Sequence, residues 1–293
     1  PAGWGSYIAG VPWALEIDVG FDVAIDSLVP VGAGLSSSAA LICAVGLGLN
    51  DVLDLGHSRR ELARRTRRTE NEYVGAPTGG MDQIASLLGT EGHALLYDVQ
   101  ADTTEQIPFD PSAAGLKVLV VDTTVRHGHA DGEYAERRAD CEMAARQLGV
   151  QTLRDVAYAD LDSALGHLEN ERLVKRARHV VTENQRVLDT TAALAADDWV
   201  AAGELLTAAH ASIRDDFEAS CTELDVAVAM LLESGSLGAR MTGGGFGGAA
   251  IALVPADRTD EAAHTVRAVF ADNGFAPPNI FSVVPSAGAT RIE

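Results

Sequence analysis

Residues Pro30-Val31-Gly32-Ala33-Gly34-Leu35-Ser36-Ser37-Ser38-Ala39-Ala40 form a glycine-rich turn that runs into three serines and a small apolar helix. The first N–H groups of a helix lack internal acceptors and carry the positive end of its dipole. An anion placed there gains hydrogen bonds and charge stabilisation together. Gly32, Ala33, Gly34, Leu35, Ser36, Ser37 and Ser38 therefore read as a phosphate cradle, with a plain serine-capped helix behind a flexible loop as the alternative. The common P-loop is excluded, because it needs a lysine after its last glycine and the chain's lysines are Lys117 and Lys175. A hydrolase nucleophile elbow is excluded too, since Gly34-Leu35-Ser36-Ser37-Ser38 lacks the closing glycine.

A second place is Gly79-Gly80-Met81-Asp82-Gln83, where a carboxylate follows a glycine break and enters the first turn of a short helix. That is an ordered position from which to meet a substrate; simple helix capping is the alternative. A third, Gly243-Gly244-Gly245-Phe246-Gly247-Gly248, matches Gly-x-Gly-x-x-Gly formally. A dinucleotide loop should open a helix, whereas Ala249–Val254 has a strand pattern, and a protein-kinase loop needs a lysine downstream, where none follows Lys175. The run reads as a bracing glycine hairpin. His127 and His129 lack an evident third ligand and read as structural rather than metal-binding. Arg59, Arg60, Arg64, Arg65, Arg67 and Arg68 read as a solvated face paired with acidic neighbours.

These residues must be positioned by a mixed chain. Phe21–Asp26 alternates like a strand and Ala39–Leu49 is a small apolar helix. Ser58-Arg59-Arg60-Glu61 has capping-box spacing and opens a basic helix to about Glu72, and Met81–Leu88 reads as another short helix. His93–Val99 and Lys117–Val125 read as strands. Helices are expected over Glu133–Leu148, Glu171–Ala195, Asp198–Ala211, Thr222–Glu233 and Asp260–Ala271, with strands at Ala239–Thr242, Ala249–Val254 and Ile280–Val284. The reading is α+β. Pro108-Phe109-Asp110-Pro111 is the linker candidate, dividing the chain into domains over 1–112 and 113–293.

At 47% hydrophobic residues the chain can bury one large or two modest cores. Its net charge of −20 argues against nucleic acid or an anionic membrane as partner, so any phosphate site is locally built. Cys43, Cys141 and Cys221 are odd in number and widely spaced, which suits reduced thiols in the cytoplasm. No apolar run reaches membrane-spanning length, and the start at Pro1 reads as that of a fragment.

Taken together, the motifs resemble those of the galactokinases in the GHMP small-molecule kinase superfamily, over essentially the whole chain. Gly32–Ser38 with Ala39-Ala40 looks like the superfamily's ATP motif, and Gly243, Gly244, Gly245, Gly247 and Gly248 like its C-terminal glycine motif. Narrower matches are Glu70-Asn71-Glu72-Tyr73-Val74-Gly75, Gly79-Gly80-Met81-Asp82-Gln83, Val125-Arg126-His127, and Glu133-Tyr134 with Arg137-Arg138 and Cys141-Glu142. The resemblance implies a two-domain fold with ATP and sugar meeting in the domain cleft. It also implies phosphoryl transfer to the anomeric hydroxyl of galactose. By the same resemblance Gly32–Ser38 surround the ATP phosphates, Ser38 and Glu70 hold Mg²⁺, Asp82 is the base, and Gly79 and Tyr134 contact galactose. A kinase for another sugar and a non-catalytic galactose sensor on the same fold remain alternatives, and oligomeric state is left open.

Two departures stand out. The family usually has Cys-Gly-Ile where this chain has Thr78-Gly79-Gly80, a change expected to alter packing near the sugar without removing a catalytic group. Its N-terminal signature, Gly-Arg-(Val/Thr)-Asn-(Leu/Ile)-x-Gly-Glu-His-x-Asp-Tyr, has no match in the 293 residues. Pro1–Glu293 alone is therefore expected to recognise nucleotide without phosphorylating galactose.

Overall fold

The computed structural model describes residues 3–32, 34–76, 78–125 and 130–292. Contacts group the chain into two units, Pro1–Asp110 with Val284–Glu293, and Pro111–Val283. The division falls inside the Pro-Phe-Asp-Pro stretch. The tail from Val284, which the sequence division places in the second domain, groups with the first unit. Gly288 N donates to Gly89 O at 2.8 Å, Ala289 N to Ser86 O at 2.7 Å, and Arg59 to the Ala289 carbonyl.

The first unit contains helices α1 (Gly5–Leu15), α2 (Ser37–Val52), α3 (Arg59–Arg68) and α4 (Met81–Leu88), and an antiparallel hairpin of β1 (His93–Asp98) and β2 (Thr103–Pro108). Its core gathers Val11, Ile42, Val45, Leu62, Ile84 and Leu87 from the four helices. Sequence pattern misses α1, which carries Pro12 in its interior. Burial of Val11, Ala14 and Leu15 outweighs that defect. The pattern also misses β2, whose polar residues pair with β1 in the register Asp98↔Thr103 to His93↔Pro108.

Phe21–Asp26 has no regular secondary structure and belongs to no sheet among the described residues, which corrects the expectation of a strand. Alternation supplies an apolar face, yet a strand exists only where a neighbouring backbone takes up its ladder. Here Phe21, Val23 and Ile25 instead rim an open cavity of about 360 Å³ with Leu41, Val45 and Leu49 of α2.

The basic helix is shorter than its charge pattern indicates. The cap is present, with Glu61 N donating to Ser58 Oγ at 3.2 Å, but α3 ends at Arg68 and the chain widens into a π-helical turn, Thr69–Val74.

The second unit is built on a four-stranded antiparallel sheet ordered β4-β5-β3-β6, with β3 Leu116–Asp122, β4 Gly238–Thr242, β5 Ala249–Pro255 and β6 Asn279–Val283. Its helices are α5 (Ala130–Leu148), α6 (Leu161–Leu165), α7 (Glu171–Ala195), α8 (Trp199–Ser212), α9 (Thr222–Glu233) and α10 (Thr259–Asp272). Val121 of β3 and Ala252 of β5 share one core with Leu224 and Leu231 of α9 and Val266 and Phe270 of α10. The arrangement is α+β, with antiparallel sheets in both units.

Candidate active site

At the start of α2 the chain does not cap itself. Ser36 occupies the cap position in the left-handed region, φ 57°, and its side chain makes no capping hydrogen bond to the helix. Gly32 and Gly34 also have positive φ, 73° and 71°, a conformation that favours glycine. The Ser36 hydroxyl lies near enough to the Asp82 carboxylate to favour its ionised form. A self-capped serine helix is therefore not what forms. The N–H groups at the helix start stay available to an external anion. Of the loop residues, Ala33 lies outside the described residues.

Asp82 stands in the first turn of α4, behind Gly80, whose φ of 83° sets the helix entry. Desolvation raises its pKa above the ordinary carboxylate value and the nearby Glu70 charge adds to the rise, while the Ser36 hydroxyl opposes it. A carboxyl raised in this way, at a half-buried position, has the character of a proton acceptor. Gly79 beside it has open space where a side chain would be.

Glu70 sits in the π-helical turn and is only 3% exposed. Thr69, next to it, is held by α1: its hydroxyl donates to Gly10 O at 3.1 Å, and a Cβ on Gly10 would lie 2.7 Å from the Thr69 methyl and 2.9 Å from the Tyr73 ring. Arg68 lies over the Trp13 ring, fixing the other side of the turn. The Glu70 carboxylate receives two hydrogen bonds on the same oxygen, Oε2, from Thr78 Oγ1 at 2.9 Å and Gln83 Nε2 at 2.6 Å. Asn71 closes the intervening loop by clasping the Thr78 backbone: Thr78 N donates to its Oδ1 at 2.9 Å and its Nδ2 donates to Thr78 O at 3.2 Å. The parts played by Thr78 and Gln83 are invisible to spacing arguments; the only sequence signal is that a hydroxyl and an amide flank Asp82.

These oxygen donors fit a hard divalent cation. Among the described residues no three His, Cys, Asp or Glu side chains cluster as a metal cage. The Glu70 charge is felt at Asp82, and Gln83 Oε1 is buried without a hydrogen-bond partner. A site with few protein oxygens suits Mg²⁺, which keeps water and phosphate oxygens as its other ligands.

In the second unit, Tyr134 is exposed near the start of α5. Arg126, His127 and His129 lie outside the described residues. The glycine run 243–248 does not open a helix; it joins β4 to β5, as its strand context predicts. It is wedged on both sides. Phe246 N donates to Ala219 O at 2.7 Å and Gly248 N to Val125 O at 3.2 Å, while Thr123 donates from its N at 3.0 Å and its Oγ1 at 2.7 Å to Gly248 O. Arg137 of α5 donates to Phe217 O at 2.8 Å and Glu218 O at 3.0 Å and lies over the Phe246 ring at 5.5 Å.

The arginines of α3 do pair with carboxylates, Arg60 and Arg64 with Asp102, Arg65 with Glu61, and Arg68 with Glu72. They do more than solvate a face, since Arg60 also reaches Asp102 O and Thr104 in the hairpin and Arg59 holds carbonyls of α4 and the tail.

Residues 6–90 match the family of GHMP kinases N terminal domains and residues 190–272 that of GHMP kinases C terminal domains. The chain is 52% identical to a galactokinase of Streptomyces coelicolor, the alignment covering 99% of this chain and 76% of that protein. It is 48% identical to a galactokinase of Mycobacterium tuberculosis, over 99% of this chain and 80% of the relative. Among solved structures, the galactokinase of Lactococcus lactis complexed with galactose superposes with a TM-score of 0.92 at 31% identity, covering 100% of this chain and 78% of that one. The L. major mevalonate kinase, 22% identical with a TM-score of 0.63 over 97% of this chain and 77% of that one, shares the fold.

Proposed function

The chain belongs to the galactokinases of the GHMP kinase family, and on that premise we propose that it transfers the γ-phosphate of ATP to the anomeric hydroxyl of D-galactose, giving galactose 1-phosphate and ADP. The observation that carries the reading is the start of α2, where Ser36 makes no capping bond and its hydroxyl lies near enough to the raised Asp82 carboxyl to favour its ionised form. It supports reading Asp82 as the base next to a phosphate-binding helix start.

In the proposed reaction Gly32–Ser38 cradle the ATP phosphates through backbone N–H groups. Asp82 accepts the proton of the attacking sugar hydroxyl as the oxygen–phosphorus bond forms. Ser38 and Glu70 would hold Mg²⁺, which when bound supplies charge neutralisation on the phosphates. Gly79, with open space beside it, and the exposed Tyr134 are the proposed galactose contacts. The glycines 243–248 brace the second unit and touch neither proton nor metal. The free thiols of Cys43, Cys141 and Cys221 support a reducing, cytoplasmic setting. No helix among the described residues is long and apolar enough to cross a membrane.

A coupled assay of ADP release over a panel of free sugars, on the full natural protein, tests this reading. Galactose is the expected best substrate, and ADP release with a different sugar alone would overturn it. Asp82→Asn should keep nucleotide binding and lose ~10² to 10⁴ in turnover; a variant retaining more than a tenth of wild-type turnover would remove Asp82 as the base.

A further inference from the structure

We propose that Thr78 and Gln83 are positioning residues that grip Glu70 by its Oε2 oxygen, so that Oε1 is the oxygen presented to the magnesium of the bound nucleotide. The inference rests on the reading of Glu70 as a metal ligand given above.

Both donors described for this carboxylate converge on one oxygen, at 2.9 and 2.6 Å. The Thr78 hydroxyl has a single proton and lies 2.9 Å from Glu70 Oε2 and 3.1 Å from Asn71 Oδ1; the charged acceptor is the stronger partner. Gln83 is fully buried, and its amide is oriented by this contact, because the flipped amide would set its oxygen against the carboxylate. Glu70 makes no ion pair with Arg, Lys or His among the described residues, so two neutral donors are its only described compensation. A carboxylate buried on these terms keeps most of its negative potential, and Asp82 adds to it. Such a group is built to be completed by a cation. Its geometry is set by whatever holds the oxygen that the cation does not take, as outer partners orient the ligands of other metal sites.

A hydroxyl donates a stronger hydrogen bond than a thiol in its place would, which makes Thr78→Cys an informative variant.

The test compares the affinity of a nonhydrolysable ATP analogue with and without Mg²⁺, by calorimetry on the full natural protein. The ratio of the two affinities reports how strongly the protein engages the metal, independently of turnover. Thr78→Val, nearly isosteric but without the hydroxyl, should lower that ratio roughly tenfold, leave metal-free nucleotide affinity within twofold, and raise the Mg²⁺ requirement of turnover with an unchanged galactose KM. Thr78→Ser should restore the wild-type ratio, and Thr78→Cys should fall between, serving as the probe if the valine variant does not fold. An unchanged ratio in Thr78→Val, or in Thr78→Cys where the valine variant does not fold, would overturn the positioning role, whatever happens to stability. Glu70→Gln separates the two claims. If it leaves the ratio unchanged, the metal reading of Glu70 falls and this inference with it; if it lowers the ratio while the Thr78 variants do not, only the inference falls.

Discussion

The two glycine loops of this chain look alike in sequence and do opposite things. The first, Gly32–Ser38, ends at a helix start where Ser36 supplies no side-chain cap, which on the proposed reading leaves its donors for the nucleotide's phosphates. The second, Gly243–Gly248, spends its donors internally: Phe246 N–H goes to Ala219 O and Gly248 N–H to Val125 O, and a Cβ on Gly245 would run into the Ala219 carbonyl oxygen. Glycine serves reach in one loop and closeness in the other. The lesson is that a glycine motif is interpreted by where its N–H groups point.

The contrast predicts that damage near the first loop removes chemistry without loss of stability, whereas damage to the second removes stability first. Asp82→Asn should give the largest effect, the ~10² to 10⁴ loss of turnover stated above. Its melting temperature should be equal to or higher than wild type, because the substitution relieves a desolvated charge beside Glu70. A clear fall in melting temperature would break the comparison on this side.

Gly245→Ala should do the reverse. With φ at +89° and the Ala219 backbone in the way, strain and overpacking together should cost about 2–5 kcal/mol in chemical denaturation. Gly244→Ala, which meets nothing within 4 Å, should change stability by less than ~0.5 kcal/mol. Equal effects at the two positions would show that the loop is not wedged.

Ser36→Ala sharpens the first half through pH. The hydroxyl stabilises the ionised form of Asp82, so its removal raises that pKa further. A base must be deprotonated to work, so the acidic limb of kcat/KM against pH should move to higher pH; a shift downward, or none, would detach Ser36 from the base.

The smallest effect belongs to the support of the second loop. Glu218, exposed and paired with Lys175 and Arg176, is held down to about 2, from an ordinary 4.5, chiefly by its hydrogen bonds to those two cations. A depressed carboxylate contributes stability that is present above its unfolded pKa and lost as pH falls through the folded one. Glu218→Gln should therefore destabilise by up to ~1 kcal/mol near neutral pH, an exposed pair being well screened. The difference from wild type should shrink between pH 4.5 and 2 in acid denaturation.

Sequence alone determined the kind of protein, because its strongest signals are local. Helices such as Met81–Leu88, Glu171–Ala195 and Thr222–Glu233 follow from apolar spacing and stop signals, and they form with those bounds. The strand-flanked run Gly243–Gly248 was readable as a brace from the strand pattern of Ala249–Val254 after it. Tertiary structure decided what depends on partners distant in the chain. Phe21–Asp26 alternates correctly and still forms no strand, since pairing is a property of two segments. α1 forms across Pro12 because its buried face packs on residues more than twenty positions away. Asp82 acquires its raised pKa from desolvation and the Glu70 charge, against the opposing pull of the Ser36 hydroxyl, and Thr78 becomes a partner of Glu70 only because a π-helical turn and the Asn71 clasp fold the chain back on itself. Residue types and their order specify which groups are present; burial and through-space contact decide what each of them does.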